Sequence, residues 1–305
     1  MRAIFPSKEE IREAAEQLRR GELVVFPTET VYGLGAHALD ARAVERIFEV
    51  KRRPKTSPLI VHVASAEAAQ ELVTEWPDEA ERLAQRFWPG PLTLVLPKRE
   101  LVPAIVTAGL GTVGVRVPRH PVALALLQEA AVPVAAPSAN LFTRLSPTAR
   151  EHVRFEGVTV LEGGDSEVGI ESTVVSLAGP ARLLRPGAVS RRELEEVIGS
   201  VAVDGAKEGE SPGLHQRHYQ PRTPLIWAEK ELPPGGGAYL FARQHRDAAR
   251  PVKMPVDAAE YASRLYRVLH ELDGEGLDWI AVEPLPDGES WAALRDRLTR
   301  GIGHL

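Results

Sequence analysis

The side chains that could do chemistry in this sequence are mostly cations and hydroxyls. Lys51, Arg53, Arg116 and Arg185 offer positive charge. Thr28, Thr30, Ser57, Thr112, Ser138, Ser146 and Ser172 offer hydroxyls, and His62 and Asn140 add neutral donors and acceptors. Most sit where an apolar run ends. FPTETVYGLG (26–35) follows Leu23-Val24-Val25, Lys51-Arg52-Arg53 closes an amphipathic stretch, and Ser138-Ala139-Asn140 follows VPVAAP. Arg116 interrupts VGVRVP, and Arg185 ends RLLR. In open α/β sheets, ligands bind where strand ends and loops converge. Lys and Arg suit phosphate oxygens, and an inward Arg suits a carboxylate. Ser, Thr and Asn bond in either sense. No carboxylate pair and no Ser–His–Asp order stands out. Such a set positions reactants and neutralises phosphate charge, which is the physics of phosphoryl or nucleotidyl transfer. The residues by themselves point to an anionic, nucleotide-like ligand.

Each piece also has a plain structural account. Basic residues at a helix C-terminus favour the macrodipole, Ser and Asn form turns, and a lone His62 suits a core. Gly33 and Gly35 need only a turn with positive φ. The convergence, not any one residue, carries the chemical reading.

The elements that must position these residues follow from periodicity. The Ser7…Glu10 capping-box spacing predicts a helix over 8–20. Strands are expected at 23–27, 58–63, 92–97, 113–118 and 132–137, with three more in VTVLEGG, STVVSL and RLLRPG. Helices are expected at 41–50, 66–76, 79–88, 121–130 and 190–199. Residues 200–223 lose apolar periodicity and read as a linker. Beyond it, strands near 224–228, 237–242 and 278–283 and helices near 259–273 and 290–300 predict a small α/β unit. The expected division is 1–200, a linker 201–223 that crosses the site, and 224–305.

Composition narrows the class. The chain has 305 residues, 44% hydrophobic and 26% charged, with formal net charge −5. That suits soluble globular domains and gives no whole-chain sign of nucleic-acid or membrane affinity. It has no cysteine, so disulfides, thiolate metal sites and a Cys nucleophile are excluded. A reducing compartment, the cytoplasm, fits. The charged N-terminus does not read as a signal peptide, and residues 121–137 are too short and interrupted to span a bilayer. Gly109–Gly114 matches GxGxxG, but a strand follows it where a dinucleotide site needs a helix. His215 and His218 form an HxxH without a third ligand and read as surface histidines.

The ordered set PTETVYGLG, KRRPKTSPLIVHV, WPGPLTLVL, VRVPRHP, APSANLFTRLSPT, GIESTVV, LLRPG and SPGLHQRHYQP resembles the threonylcarbamoyl-adenylate synthases, the YrdC-like family, in its long two-domain form. The resemblance is dense over about residues 5–222 and loose beyond. It implies a twisted open mixed sheet with flanking helices, plus a small C-terminal α/β (Rossmann-like) domain. It implies that ATP, L-threonine and bicarbonate or CO2 give L-threonylcarbamoyl-AMP and pyrophosphate, for modification of the adenosine beside the tRNA anticodon by downstream transfer proteins. By the same resemblance Thr30, His62, Arg116, Ala136 and Ser172 would hold threonine. Arg53, Ser57, Thr112, Ser138, Ser146, Arg185 and Tyr219 would hold ATP. Lys51, Arg53, Ser138 and Asn140 would be the catalytic core. Mg2+ would come with the ATP phosphates and not from protein ligands. Position 57 is Ser where several members carry Asn. A rival is an RNA-binding module of the same fold with Lys51-Arg52-Arg53 as a phosphate patch; a weak RNA contact is compatible with either reading. The hydrogenase-maturation carbamoyltransferases carry cysteine-rich zinc modules, which this chain lacks. A nucleotidyltransferase that uses another amino acid is a further rival.

Overall fold

The computed structural model describes residues 5–203, 217–228 and 231–302. Short apolar runs make β1 (Val24–Phe26), β2 (Gly33–His37), β3 (Ile60–His62), β4 (Leu92–Pro97), β5 (Thr112–Arg116), β6 (Val134–Ala135), β7 (Thr159–Val160), β8 (Thr173–Ser176) and β9 (Arg182–Arg185). Among the described residues they join as a nine-stranded sheet in the order β7-β1-β2-β6-β3-β5-β4-β8-β9. The sheet is mixed. β3–β5 and β4–β8 run parallel, whereas β2–β6, β3–β6, β4–β5 and β8–β9 run antiparallel.

Helices cover the two faces unequally. On one face lie α2 (Ala41–Lys51), α4 (Asp78–Phe87) and α6 (Arg191–Ile198). Their Val44, Ile47, Phe48, Leu83 and Leu194 pack in one core with Val25, Leu34, Val61, Leu94, Val115 and Val175. On the other face α1 (Lys8–Arg19) and α5 (Pro121–Ala130) lie over one end, where Ile11, Leu18 and Leu126 meet Val24, Phe26 and Val134. Beyond them, among the described residues, this face carries a small apolar cluster, Ile60, Val95, Val174 and Leu184. Side chains alternate along a strand. That alternation sends Ile60 and His62 of β3 to this face while Val61 enters the helix-covered core.

Downstream, β10 (Leu225–Trp227), β11 (Ala238–Phe241), β12 (Arg250–Lys253) and β13 (Ile280–Val282) form a four-stranded parallel sheet, ordered β10-β13-β11-β12. α7 (Ala258–Asp273) and α8 (Ala292–Ile302) pack on it through Tyr261, Leu265, Leu269, Leu294 and Leu298. The same apolar cluster takes in Val31, Leu145, Ile170 and Tyr219, so loops beside the nine-stranded sheet join the core of the second sheet. At this junction Gly169 has φ 75°, and a Cβ there would stand 2.5 Å from the Ala262 carbonyl oxygen of α7. Only glycine permits both the turn and the contact.

Three expectations need correction. Gly33 and Gly35 do not form a turn; they belong to β2, antiparallel to β1, with Phe26 opposite Gly33. A Cβ on Gly35 would come within 2.8 Å of both Phe26 and Val134, so the glycine admits those side chains. The helix expected over 66–76 is α3 (Ala66–Gln70), because Val73 bridges to Lys98 and Thr74 N–H bonds Pro97 O. Strand β12 was not anticipated: RPVK is mostly exposed at a sheet edge and shows no apolar alternation. Residues 204–216 of the expected linker lie outside the described residues, as does His215.

Candidate functional site

The parallel register of β3 and β5 sets His62 beside Arg116 at the partly bare face. Around them a pocket gathers Thr30, Arg53, His62, Arg116, Ala136, Ser138, Ser172, Arg185 and Tyr219, all named from the sequence. Its walls also include Thr28, Val31 and Gly33, from the FPTETVYGLG stretch that the sequence singles out, and Ile60, Pro137, Glu171 and His218, to which it gives no ligand role. The cavity measures about 50 Å3.

FPTET forms one wall by way of a local turn. Thr28 Oγ1 accepts from the backbone N–H of Thr30 and Val31 and donates to Val31 O, which closes the loop. Thr30 Oγ1 is thereby directed at Arg116 Nη1, 3.0 Å away. Arg116 Nη2 stands 2.7 Å from Glu29 Oε1, and both side chains are at most 4% exposed. Arg116 Nε donates to Gly90 O at 3.2 Å, and the backbone N–H of Arg119 donates to Glu29 Oε2 at 3.1 Å. Burial alone would raise the Glu29 carboxyl, but Arg116 and these hydrogen bonds hold it below the usual carboxylate range. His62 is pushed down to about 3, first by burial and then by Arg116, so the ring is neutral. Its Nδ1 has no hydrogen-bond partner among the described residues.

The opposite end is cationic. Helix α2 ends with Arg52 in the left-handed conformation (φ 52°), and Arg53 N–H returns to Phe48 O. This C-terminal turn leaves Arg52 exposed and brings both Lys51 and Arg53 into the interior. Arg53 Nη2 donates to Ser57 Oγ and to Pro58 O, and its guanidinium lies 5.6 Å from the Phe142 ring centroid. Burial brings Arg53 down to about 10. Arg185 Nη2 donates to Ser172 O at 3.0 Å and to Ser172 Oγ at 3.2 Å. Ser172 Oγ lies 2.9 Å from Thr93 Oγ1.

Several expected site residues stand behind the walls. Lys51 is 1% exposed, and its Nζ donates to Ser138 O and Asn140 O, holding the Ser138–Asn140 loop from beneath. Burial, then Arg53, lowers its pKa well below the usual value. Asn140 Nδ2 donates to Leu141 O and Arg144 O. Ser57 is held by Arg53, and Ser146 Oγ donates to Glu171 Oε1 at 2.5 Å. Thr112 lines neighbouring depressions that run along the bare face past Ile60, Val95 and Leu184. Ile60 lines both this region and the main pocket.

The sequence gives no role to Glu29, Glu171, Tyr266 and Arg297, although Glu29 and Glu171 stand in its polar clusters at strand ends. Glu171 is buried and accepts from Ser146, Tyr266 and Arg297. Burial raises its carboxyl, but Arg297 and Arg185 outweigh that and keep it low. His218 is not a surface residue: it is 5% exposed, lines the pocket and meets Phe142 and Tyr219 edge-on. A larger groove of about 670 Å3 lies where α6, α7 and α8 begin, but its Arg191 and Arg192 are tied to Glu195 and Glu196.

Comparison with known proteins assigns this architecture. Residues 16–187 match the Sua5/YciO/YrdC family model, described as "Telomere recombination", and residues 189–303 match the "Threonylcarbamoyl-AMP synthase, C-terminal domain". The chain belongs to the Sua5/YciO/YrdC family. It is 42% identical over 320 residues to a Pyrococcus abyssi protein named threonylcarbamoyl-AMP synthase, covering 96% of this chain and 94% of that one. A Bacillus subtilis protein of the same name is 40% identical over 327 residues, covering 96% and 93%. The crystal structure of P. abyssi Sua5 complexed with L-threonine superposes with TM-score 0.88 at 40% identity, covering 97% of this chain and 95% of that one. Among the described residues no helix is long and apolar enough to cross a membrane.

Proposed function

We propose that this chain makes L-threonylcarbamoyl-AMP and pyrophosphate from ATP, L-threonine and bicarbonate or CO2. What carries the reading is near-full-length similarity to proteins named threonylcarbamoyl-AMP synthase, joined to a buried pocket with a guanidinium–histidine end and a cationic end. Threonine takes the first end. Arg116 bonds its carboxylate while retaining Glu29, and Thr30, neutral His62, Ser172 and the Ala136 backbone take its amine and hydroxyl. ATP takes the second end, with phosphates on Arg53, Arg185 and Ser138 and the nucleoside running along the bare face toward Thr112. Tyr219 completes that wall, and Ser57 and Ser146 brace it from behind through Arg53 and Glu171. Lys51 and Asn140 serve by shaping the Ser138 loop. Residues 1–200 form the catalytic unit, 201–223 the linker and 224–305 the C-terminal unit.

In the reaction the threonine amine adds to CO2 and loses a proton, giving a carbamate. A carbamate oxygen then bonds the α-phosphorus as the bond to the β-phosphate oxygen breaks. Arg53 and Arg185, fixed in place, stabilise charge as it shifts to pyrophosphate. Glu29 and Glu171 are both committed to arginines, and hydroxyls line the rest, a donor set that fits Mg2+ arriving on the triphosphate. When bound, the ion would neutralise phosphate charge.

A cavity of about 50 Å3 is far below the roughly 300–1,000 Å3 of small-molecule sites. Binding therefore needs more room than this cavity offers, and the linker residues His218 and Tyr219 form one of its walls. Closing them over substrate would keep water from the carbamate. The product would feed transfer to the adenosine beside the tRNA anticodon by other cytoplasmic proteins. The test is pyrophosphate release from Mg-ATP with threonine and bicarbonate omitted in turn. Release that needs both supports the reading; release indifferent to threonine refutes it.

A further inference from the structure

Side chains of α7 and α8 reach the back of the nucleotide end without lining it. Arg297, on α8, is 1% exposed. Its Nε donates to Glu171 Oε2 at 2.8 Å and its Nη2 to Pro186 O at 3.0 Å. Its guanidinium lies 5.3 Å from the Tyr219 ring centroid, a distance at which a cation and a ring attract. Tyr266, on α7, stacks on the same ring at 5.9 Å and 27°, and its hydroxyl donates to Glu171 Oε2 at 3.2 Å. His270 of α7 lies 3.1 Å from Ser146 O through Nε2, and Ser146 in turn bonds Glu171.

Tyr219 itself has φ 63°. A residue with a side chain occupies that region only where its surroundings over-determine it. Here the restraints are visible. Gln220 N–H donates to Thr143 O, and Thr143 is also left-handed at φ 68°. His218 N–H donates to Arg300 O of α8. By contrast, the side-chain bonds of Thr30 and Arg116 run to Thr28, Glu29 and Gly90.

We propose that Arg297 and Tyr266 are positioning residues: they hold Tyr219 and Glu171 in the geometry that the nucleotide end requires, so the C-terminal helices set ATP affinity without touching substrate. This rests on the reading of the pocket as an ATP and threonine site. It gives the C-terminal unit a task beyond support, and one confined to half of the pocket.

The test uses the full chain carrying Arg297→Lys, which keeps the cation and loses the fork, and Tyr266→Phe, which keeps the ring and loses the hydroxyl. Hydrogen exchange at the Tyr219 and Gln220 amides is measured in the ligand-free protein, and KM for ATP and for threonine in turnover. Arg297→Lys is expected to speed exchange at both amides and raise the ATP KM on the order of 10- to 100-fold. The threonine KM is expected to stay within about twofold. Tyr266→Phe moves the same readouts in the same direction by less, and carries the test if the arginine variant does not fold. Equal rises in both KM values with a lowered melting temperature would reduce the contacts to mere stability and overturn the proposal. Unchanged exchange and ATP KM in a folded variant would also overturn it. If the wild type shows no threonine-dependent pyrophosphate release, the functional reading falls, and exchange at Tyr219 still decides the positioning claim.

Discussion

Arg116 is held by a carboxylate of its own chain, which changes what its removal does. Arg116→Ala leaves Glu29 buried, 2% exposed, with its countercharge gone. Breaking one side of a buried pair costs about 3–5 kcal/mol. At roughly 2–4 °C per kcal/mol for a domain of this size, the melting temperature should fall by about 6–20 °C. That loss would mask any effect on threonine. The double variant Glu29→Gln/Arg116→Met removes both charges and should recover most of the stability. Threonine affinity should not recover, because the substrate carboxylate then enters a pocket end without a cation. Losing such a contact costs about 2–5 kcal/mol, or roughly 30- to 5,000-fold in Kd. Thermal melts and titration calorimetry on the wild type and both variants separate the two roles. If the double variant melts no higher than Arg116→Ala, the ion-pair argument is wrong. If it binds threonine like the wild type, Arg116 does not receive the carboxylate.

Other outcomes follow from the same geometry. His62 is held neutral with a pKa near 3, whereas the unfolded chain takes up a proton below about 6.5. The unfolded state thus binds more protons as pH falls, so His62 lowers stability progressively from about pH 6.5 down to about pH 3, by at most about 1.4 kcal/mol per unit. Denaturant titrations of His62→Asn should show a flatter acid slope; an identical slope would place the effect elsewhere, such as His152, which burial also brings to about 3. Gly35→Ala should cost about 1–3 kcal/mol by crowding Phe26 and Val134, and a melting temperature at the wild-type value would contradict it. Lys51→Met strips the donor from two carbonyls at about 1–3 kcal/mol each. It should weaken ATP binding through the Ser138 loop, and calorimetry showing unaltered ATP affinity would refute that route. Tyr219→Ala should lower the yield of threonylcarbamoyl-AMP per pyrophosphate released; full coupling in that variant would remove Tyr219 from the closing wall.

Periodicity was enough to place β1, β3, β4, β5 and β8, because each is an apolar run between turn residues. It failed at β2, where two glycines imitate a turn while serving as room for Phe26, and at β12, an exposed edge with nothing to bury. The polar residues that line the pocket were legible because strand ends concentrate them. Which of those residues face the cavity was not. Lys51 and Arg53 are two positions apart, and a left-handed Arg52 sends one under a loop and the other into the pocket. Glu29 and Glu171 lay in plain view beside Thr30 and Ser172, but their meaning depends on partners far along the chain: 126 residues separate Arg297 from Glu171. No local pattern encodes such a pairing.

Under the proposed seating, the arrangement of charge also orients the substrates before any contact forms. Glu29 cancels Arg116 at one end, and Arg297 cancels Glu171 at the side, while the Arg53 guanidinium donates to the neutral Ser57 Oγ and Pro58 O. The cavity is therefore polarised: near-neutral where an amino acid, itself a zwitterion, would lie, and positive where a polyanion would. In the proposed seating, a triphosphate that entered backwards would forfeit the counter-charge of Arg53. Under that proposal misregistered binding would be penalised by field alone, and two substrates of unlike charge would not confuse their seats.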